Sequence, residues 1–218
     1  EILSEAERRI FSIAQQSEQR HAEKLDELLT LAIEQLEAND GKLITGVATG
    51  YPMLDEVTSG LQKGEMVIIA ARPSMGKTAL ALNMAENIVM LDIPVALFSL
   101  EMSRQQLVQR LLSSRSSVSG HSIRRNMLSD RDMEALIQAT DDLMGKPLFI
   151  DDTPGLTITQ LRAKARRLKQ SEDIGVIVID YLQLMTSGKR TESRQQEVSD
   201  ISRGVKALAR ELEVPVIC

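Results

Sequence analysis

Tryptophan is absent from this chain of 218 residues, tyrosine occurs twice, phenylalanine three times and cysteine once. So few rings argue against a platform that stacks successive bases on aromatic side chains. Any grip on nucleic acid would have to fall on phosphates. The single cysteine, Cys218, excludes a disulfide framework and a cysteine-rich metal site. The two histidines, His21 and His121, stand far apart without cysteine or acidic partners at ligand spacing, which argues against zinc. No apolar run approaches the length of a membrane span, and the opening Glu1-Ile2-Leu3-Ser4-Glu5 lacks the basic flank and apolar core of a signal peptide. The expected compartment is therefore the cytoplasm, with no membrane partner. A net charge of −5 is wrong for a wholly basic nucleic-acid coat but leaves room for a local basic channel. Internal repeats and low-complexity tracts are also missing.

What is present is 43% apolar residues, enough for one good core with room for an appendage. Leu3, Ala6, Ile10 and Ile13 recur at three- and four-residue spacing, which predicts an amphipathic helix. It reads either as an ordinary domain helix or as an arm that docks on another subunit. Polar residues 15–24 interrupt it. A second stripe, Leu25, Leu28, Leu29, Ala32 and Leu36, predicts another helix ending near Asn39-Asp40-Gly41.

From Gly46 the pattern changes to short apolar runs alternating with capped helices, the mark of an α/β fold with a mainly parallel sheet. The runs are 66–71, 95–100, 148–150, 176–179 and 214–217. They are continuous rather than alternating, as expected for strands covered on both faces. Ser103 with Gln106, Ser129 with Asp132, and Thr157 with Gln160 have capping-box spacing and predict three helix starts. A sheet edge left at the fifth run would be exposed, so more of the domain is expected to follow.

The segment Ala71-Arg72-Pro73-Ser74-Met75-Gly76-Lys77-Thr78 lies between the first apolar run and a helical stretch. That is where a phosphate-gripping loop belongs. Backbone N–H groups and the helix N-terminus cradle phosphates, a lysine reaches the β and γ oxygens, and a Ser/Thr hydroxyl holds Mg²⁺. Ser74, Met75, Gly76, Lys77, Thr78 and Ala79 are the candidate nucleotide-binding residues. The usual pattern opens with glycine, and Ala71 departs from it at the cost of one methyl group, tolerable where φ stays negative.

Hydrolysis also needs a carboxylate to orient the metal and a group to activate water. In open α/β sheets such groups gather at the C-terminal ends of strands. Asp180 follows the longest β-branched run and best fits a Walker B aspartate that holds the metal through water. Glu101 follows the strand after the loop helix and is assigned the general-base or water-orienting role, although an acid at that helix start is also favoured by the dipole. Asp151 and Asp152 precede a Thr153-Pro154-Gly155 turn and read as polar loop residues. Of the basic clusters, Arg162, Arg166 and Lys169 form a solvated helix face opposite Leu161, Ala165 and Leu168. Lys189, Arg190 and Arg194, in the polar stretch after Asp180, are the DNA-contact candidates, with a plain surface loop as the alternative.

Several segments now converge: Thr49-Gly50-Tyr51, Leu54-Asp55, AARPSMGKT, FSLEMS at 98–103 and IDYLQLM at 179–185. Across nearly its whole length the chain resembles the C-terminal motor of the bacterial replicative helicases of the DnaB family, within the RecA-like ATPases. In that family the loop commonly begins with alanine. The resemblance implies Lys77 and Thr78 on the phosphates and Mg²⁺, Glu101 as catalytic glutamate and Asp180 as Walker B aspartate. It implies ATP and Mg²⁺ as cofactors, a homo-hexameric ring, single-stranded DNA as track, and a primase and a helicase loader as partners. It further implies a linker helix at residues 1–22 docking on a neighbouring subunit, a RecA-like ATPase domain over 23–218, and a primase-interacting domain before Glu1. A sensor glutamine, an arginine finger and a main DNA-binding loop would follow Cys218. Competing readings are a filament-forming recombinase, a nucleotide-binding oligomerisation module without independent activity and, more remotely, a small-molecule kinase.

Overall fold

The structure, a computed structural model, describes residues 24–38, 43–72, 74–186 and 193–218. It divides between Lys42 and Leu43 into two units. The described part of the first is α1 (Leu25–Ala38), a helix where the leucine stripe predicts one. The amphipathic helix predicted within residues 1–22 lies outside the described residues.

The second unit contains α2 (Pro52–Thr58), β1 (Met66–Val67), α3 (Lys77–Met90), β2 (Val95–Ser99), α4 (Arg104–Ser116), α5 (Gly120–Arg125) and α6 (Asp130–Leu143). It continues with β3 (Leu148–Asp151), α7 (Ile158–Glu172), β4 (Val176–Asp180), a 3₁₀ turn at Leu182–Leu184, α8 (Arg194–Leu212) and β5 (Val216–Ile217). The strands form one sheet in the order β1-β5-β4-β2-β3, and every pairing is parallel.

Alternate residues of each central strand face opposite helical layers, because side chains leave a pleated strand on alternating sides. Val95 and Leu97 of β2 and Val176 and Val178 of β4 pack with Ala85, Ile88 and Val89 of α3 and Leu107 and Leu111 of α4. Their neighbours Ala96, Phe98, Ile177 and Ile179 pack on the other side with Leu161 and Ala165 of α7 and Ile201, Val205 and Leu208 of α8. Two apolar faces explain why these runs are continuous. All three predicted capping boxes close as read, at Ser103 with Gln106, Ser129 with Asp132 and Thr157 with Gln160. The first strand is shorter than its apolar run, and among the described residues it pairs with β5. Its ladder nevertheless continues, with Ile69 N donating to the Cys218 carbonyl at 2.8 Å.

Candidate nucleotide site

Because all strands run the same way, their C-terminal ends share one rim, and the loops after β1, β2, β3 and β4 leave the sheet there. The loop after β1 turns through two left-handed residues, Ser74 at φ 66° and Gly76 at φ 89°, before α3 begins at Lys77. Glycine suits the second position because of its positive φ; space is not the reason, since a Cβ there would meet nothing within 4 Å. No side chain caps α3 and no acid occupies its first turn. Its N-terminal N–H groups therefore keep the positive end of the helix dipole open to an anion. Lys77, Thr78 and Ala79 form that first turn, with Thr78 half-buried.

Lys77 leans across the rim to the end of β4. Its Nζ lies 3.3 Å from Asp180 Oδ1 and 3.7 Å from the centre of the Tyr181 ring. Asp180 is 3% exposed, and its other oxygen, Oδ2, is the one buried side-chain polar atom left without a hydrogen bond among the described residues. Leaving such an oxygen unmet is costly, so the position fits a carboxylate that orders metal-bound water. An open helix N-terminus, a lysine and an unmatched carboxylate oxygen are the donor set that a nucleotide triphosphate with Mg²⁺ requires.

Glu101 stands beyond the end of β2, the strand next to β4. In register Ser99 of β2 faces Asp180 of β4, and Leu100 N donates to the Asp180 carbonyl at 2.7 Å. This places Glu101 on the same rim, and its exposed carboxylate makes no hydrogen bond or ion pair with the described residues.

The other acids at strand ends are occupied. Asp151 accepts from Lys164 Nζ at 2.5 Å and from Thr153 N and Oγ1 at 2.9 and 2.5 Å. Burial pushes its carboxyl up, but Lys164 and Thr153 together hold it below its ordinary value. Asp152 accepts from Arg104 N at 2.9 Å and pairs with the Arg104 guanidinium at 3.0 Å. The Arg104 backbone N–H, foremost, holds the Asp152 carboxyl low.

The basic clusters divide. Arg162 and Arg166 both bind Glu211, and Lys169 pairs with Asp173 at 2.7 Å, so that helix face is satisfied within the chain. Arg194 donates to the carbonyls of Gln183 and Met185 and pairs with Glu197, which ties the start of α8 back to the turn after β4. The structure thus does not bring Arg194 to the Lys77–Asp180 group. Lys189 and Arg190 lie outside the described residues. Sequence reasoning missed Tyr181, whose signal is its place directly after Asp180 in a chain with few rings, and it set Asp152 aside as a loop residue.

Residues 46–218 match the family model for the DnaB-like helicase C-terminal domain. Over 99% of its length the chain is 47% identical to the replicative DNA helicase DnaB of Geobacillus stearothermophilus, covering 48% of that protein. Over its full length it is 45% identical to the replicative DNA helicase DnaC of Bacillus subtilis, covering 49% of it. The chain thus spans about half the length of the curated relatives it matches. Among solved structures, an ATPase domain superposes with a TM-score of 0.83 at 37% identity, over 90% of this chain and 70% of that one. A DnaB-like replicative helicase, described with its interactions with primase, gives 0.82 at 38% identity, over 89% of this chain and 48% of that one. Among the described residues no helix is long and apolar enough to cross a membrane.

Proposed function

The chain belongs to the DnaB-like helicase C-terminal domain family, and from that premise we propose that it is the ATP-hydrolysing motor of a replicative DNA helicase. The observation that carries the reading is Lys77 beside Asp180 Oδ1, with Asp180 Oδ2 unmatched, at the open N-terminus of α3. Ser74 to Ala79 hold the phosphates through backbone N–H groups, and the Lys77 ammonium neutralises the β and γ oxygens. Thr78 Oγ1 and, through water, Asp180 would hold Mg²⁺, which when bound would draw charge from the phosphate oxygens. Glu101 accepts the proton of the attacking water at its carboxylate, which has no partner among the described residues. Asp180 also keeps Lys77 facing the phosphates.

By the same family reasoning the working unit is a homo-hexamer that moves on single-stranded DNA, with a primase and a helicase loader as partners. An arginine from a neighbouring subunit completes each site. The linker-helix role for residues 1–22 and the DNA-contact role for Lys189, Arg190 and Arg194 belong to this proposal. Cytoplasmic location goes with a replicative role.

The test uses the full-length protein, with ATP hydrolysis measured with and without single-stranded DNA and unwinding measured on a forked duplex. Lys77→Ala should remove nucleotide binding and both activities. Glu101→Gln should keep binding while hydrolysis falls by about 10²–10⁴-fold, the usual worth of a general base. Intact rates in Lys77→Ala would refute the assignment. Electron microscopy should show closed rings; open filaments would favour a recombinase.

A further inference from the structure

We propose that Asp152 is a positioning residue that fixes the loop carrying Glu101 and so sets where that carboxylate meets the attacking water, an inference that rests on the hydrolytic reading above. Strand β2 lies between β4 and β3. Its last residues are in register with Asp180 on one side, through Ser99, and with Asp151 on the other, through Phe98. Asp180 and Asp152 therefore flank the point where the chain leaves β2 toward Glu101.

Three ties hold that departing loop. Leu100 N donates to the Asp180 carbonyl at 2.7 Å. The buried Ser99 hydroxyl donates to the Met102 carbonyl at 2.8 Å and accepts from Met102 N at 3.2 Å, closing a turn around Glu101. Asp152 then grips Arg104 by its backbone N–H at 2.9 Å and its guanidinium at 3.0 Å. The backbone is fixed before, at and after the loop, whereas the Glu101 side chain has no partner among the described residues. A rigid backbone bearing an unspent carboxylate is what a general base needs, since proton transfer demands hydrogen-bond reach at a fixed place.

Asp152 takes a helix donor that the capping box leaves open: the Ser103–Gln106 box meets Ser103 N and Gln106 N but not Arg104 N. Asp152 adds a tie across two strands, from a residue 48 positions away, at the first helical N–H. The guanidinium arm is the lesser part, because Arg104 is 66% exposed and such pairs are weak in water.

The experiment uses the full-length protein and compares Asp152→Ala, Asp152→Asn and Arg104→Ala with wild type. Asp152→Ala should lower kcat by about 10–100-fold, the effect of misplacing a reacting group by about 1 Å. Its affinity for a fluorescent ATP analogue should stay within about twofold, the split expected when binding groups are untouched. Asp152→Asn keeps an acceptor for Arg104 N and should retain most of the rate; Arg104→Ala keeps the backbone tie and should do likewise. In the nucleotide-free protein, hydrogen exchange should quicken over residues 100–104 of Asp152→Ala and nowhere else. Should that variant fail to fold, Asp152→Glu, one methylene too long, carries the same test. Unchanged kcat in Asp152→Ala, or a parallel loss of affinity, rate and melting temperature, would overturn the proposal. If wild type itself does not hydrolyse ATP, the hydrolytic reading fails, and unaltered exchange over 100–104 would still refute the tie.

Discussion

Lys77 is held by two unlike partners, a carboxylate at 3.3 Å and a ring face at 3.7 Å. A cation over tyrosine is worth about 0.5–2 kcal/mol, less than the pull of a triphosphate with several charges. Nucleotide should therefore draw the ammonium off the ring. With no tryptophan and two tyrosines in this chain, Tyr51→Phe leaves Tyr181 as its sole tyrosine emitter. Its fluorescence should change on adding ATP with Mg²⁺ and stay flat when Lys77→Ala is added to the same background. At this scale the sequence is most legible where the chemistry is local. The loop from Ser74 to Ala79 is one short segment, and Asp180 is announced by the β-branched run before it. Tyr181 over Lys77 and Asp152 on Arg104 are contacts between distant segments, and no spacing rule announces either.

Between elements, the contact of α7 with α8 is clamped by Glu211 of α8, which takes Arg162 Nε at 2.7 Å and also pairs with Arg166. Burial raises the Glu211 carboxyl, but Arg166 and Arg162 outweigh it and hold it below the ordinary glutamate value of 4.5. A depressed acid stabilises the fold above its unfolded pKa and loses that contribution as pH falls through the folded value. Glu211→Gln should thus cost about 0.5–1 kcal/mol near neutrality, a figure reduced for the exposure of both arginines. Urea midpoints of the two proteins should differ fully above pH 4.5 and converge as pH falls below it. Helix starts were readable because a capping box spans four successive residues, as at Ser129 to Asp132. Strand ends were less so: Met66–Val67 occupies only the start of its apolar run because pairing, not composition, decides where a strand stops.

For the molecule as a whole, α3, β2 and β4 meet at one rim, so a ligand bound there is linked to the folding of the entire second unit. Saturation at about 100 times the dissociation constant adds about 2.7 kcal/mol. For a domain of this size that corresponds to a rise of about 5–10 °C in melting temperature. Scanning calorimetry with ATP and Mg²⁺ should show this shift in wild type and none in Lys77→Ala. The α/β class was legible from alternating runs and helices, whereas the order β1-β5-β4-β2-β3 was not, because apolar runs do not say which strand neighbours which. That order carries a consequence for synthesis. Strand β1, which launches the phosphate loop, has β5 as its neighbour in the sheet, through Met66 with Val216 and Val67 with Ile217. On the ribosome the loop is translated early, yet among the described residues its strand gains its neighbour in the sheet only after about 150 further residues have emerged. Until then the rim is unfinished, and no ligand that needs it can stabilise the half-made unit.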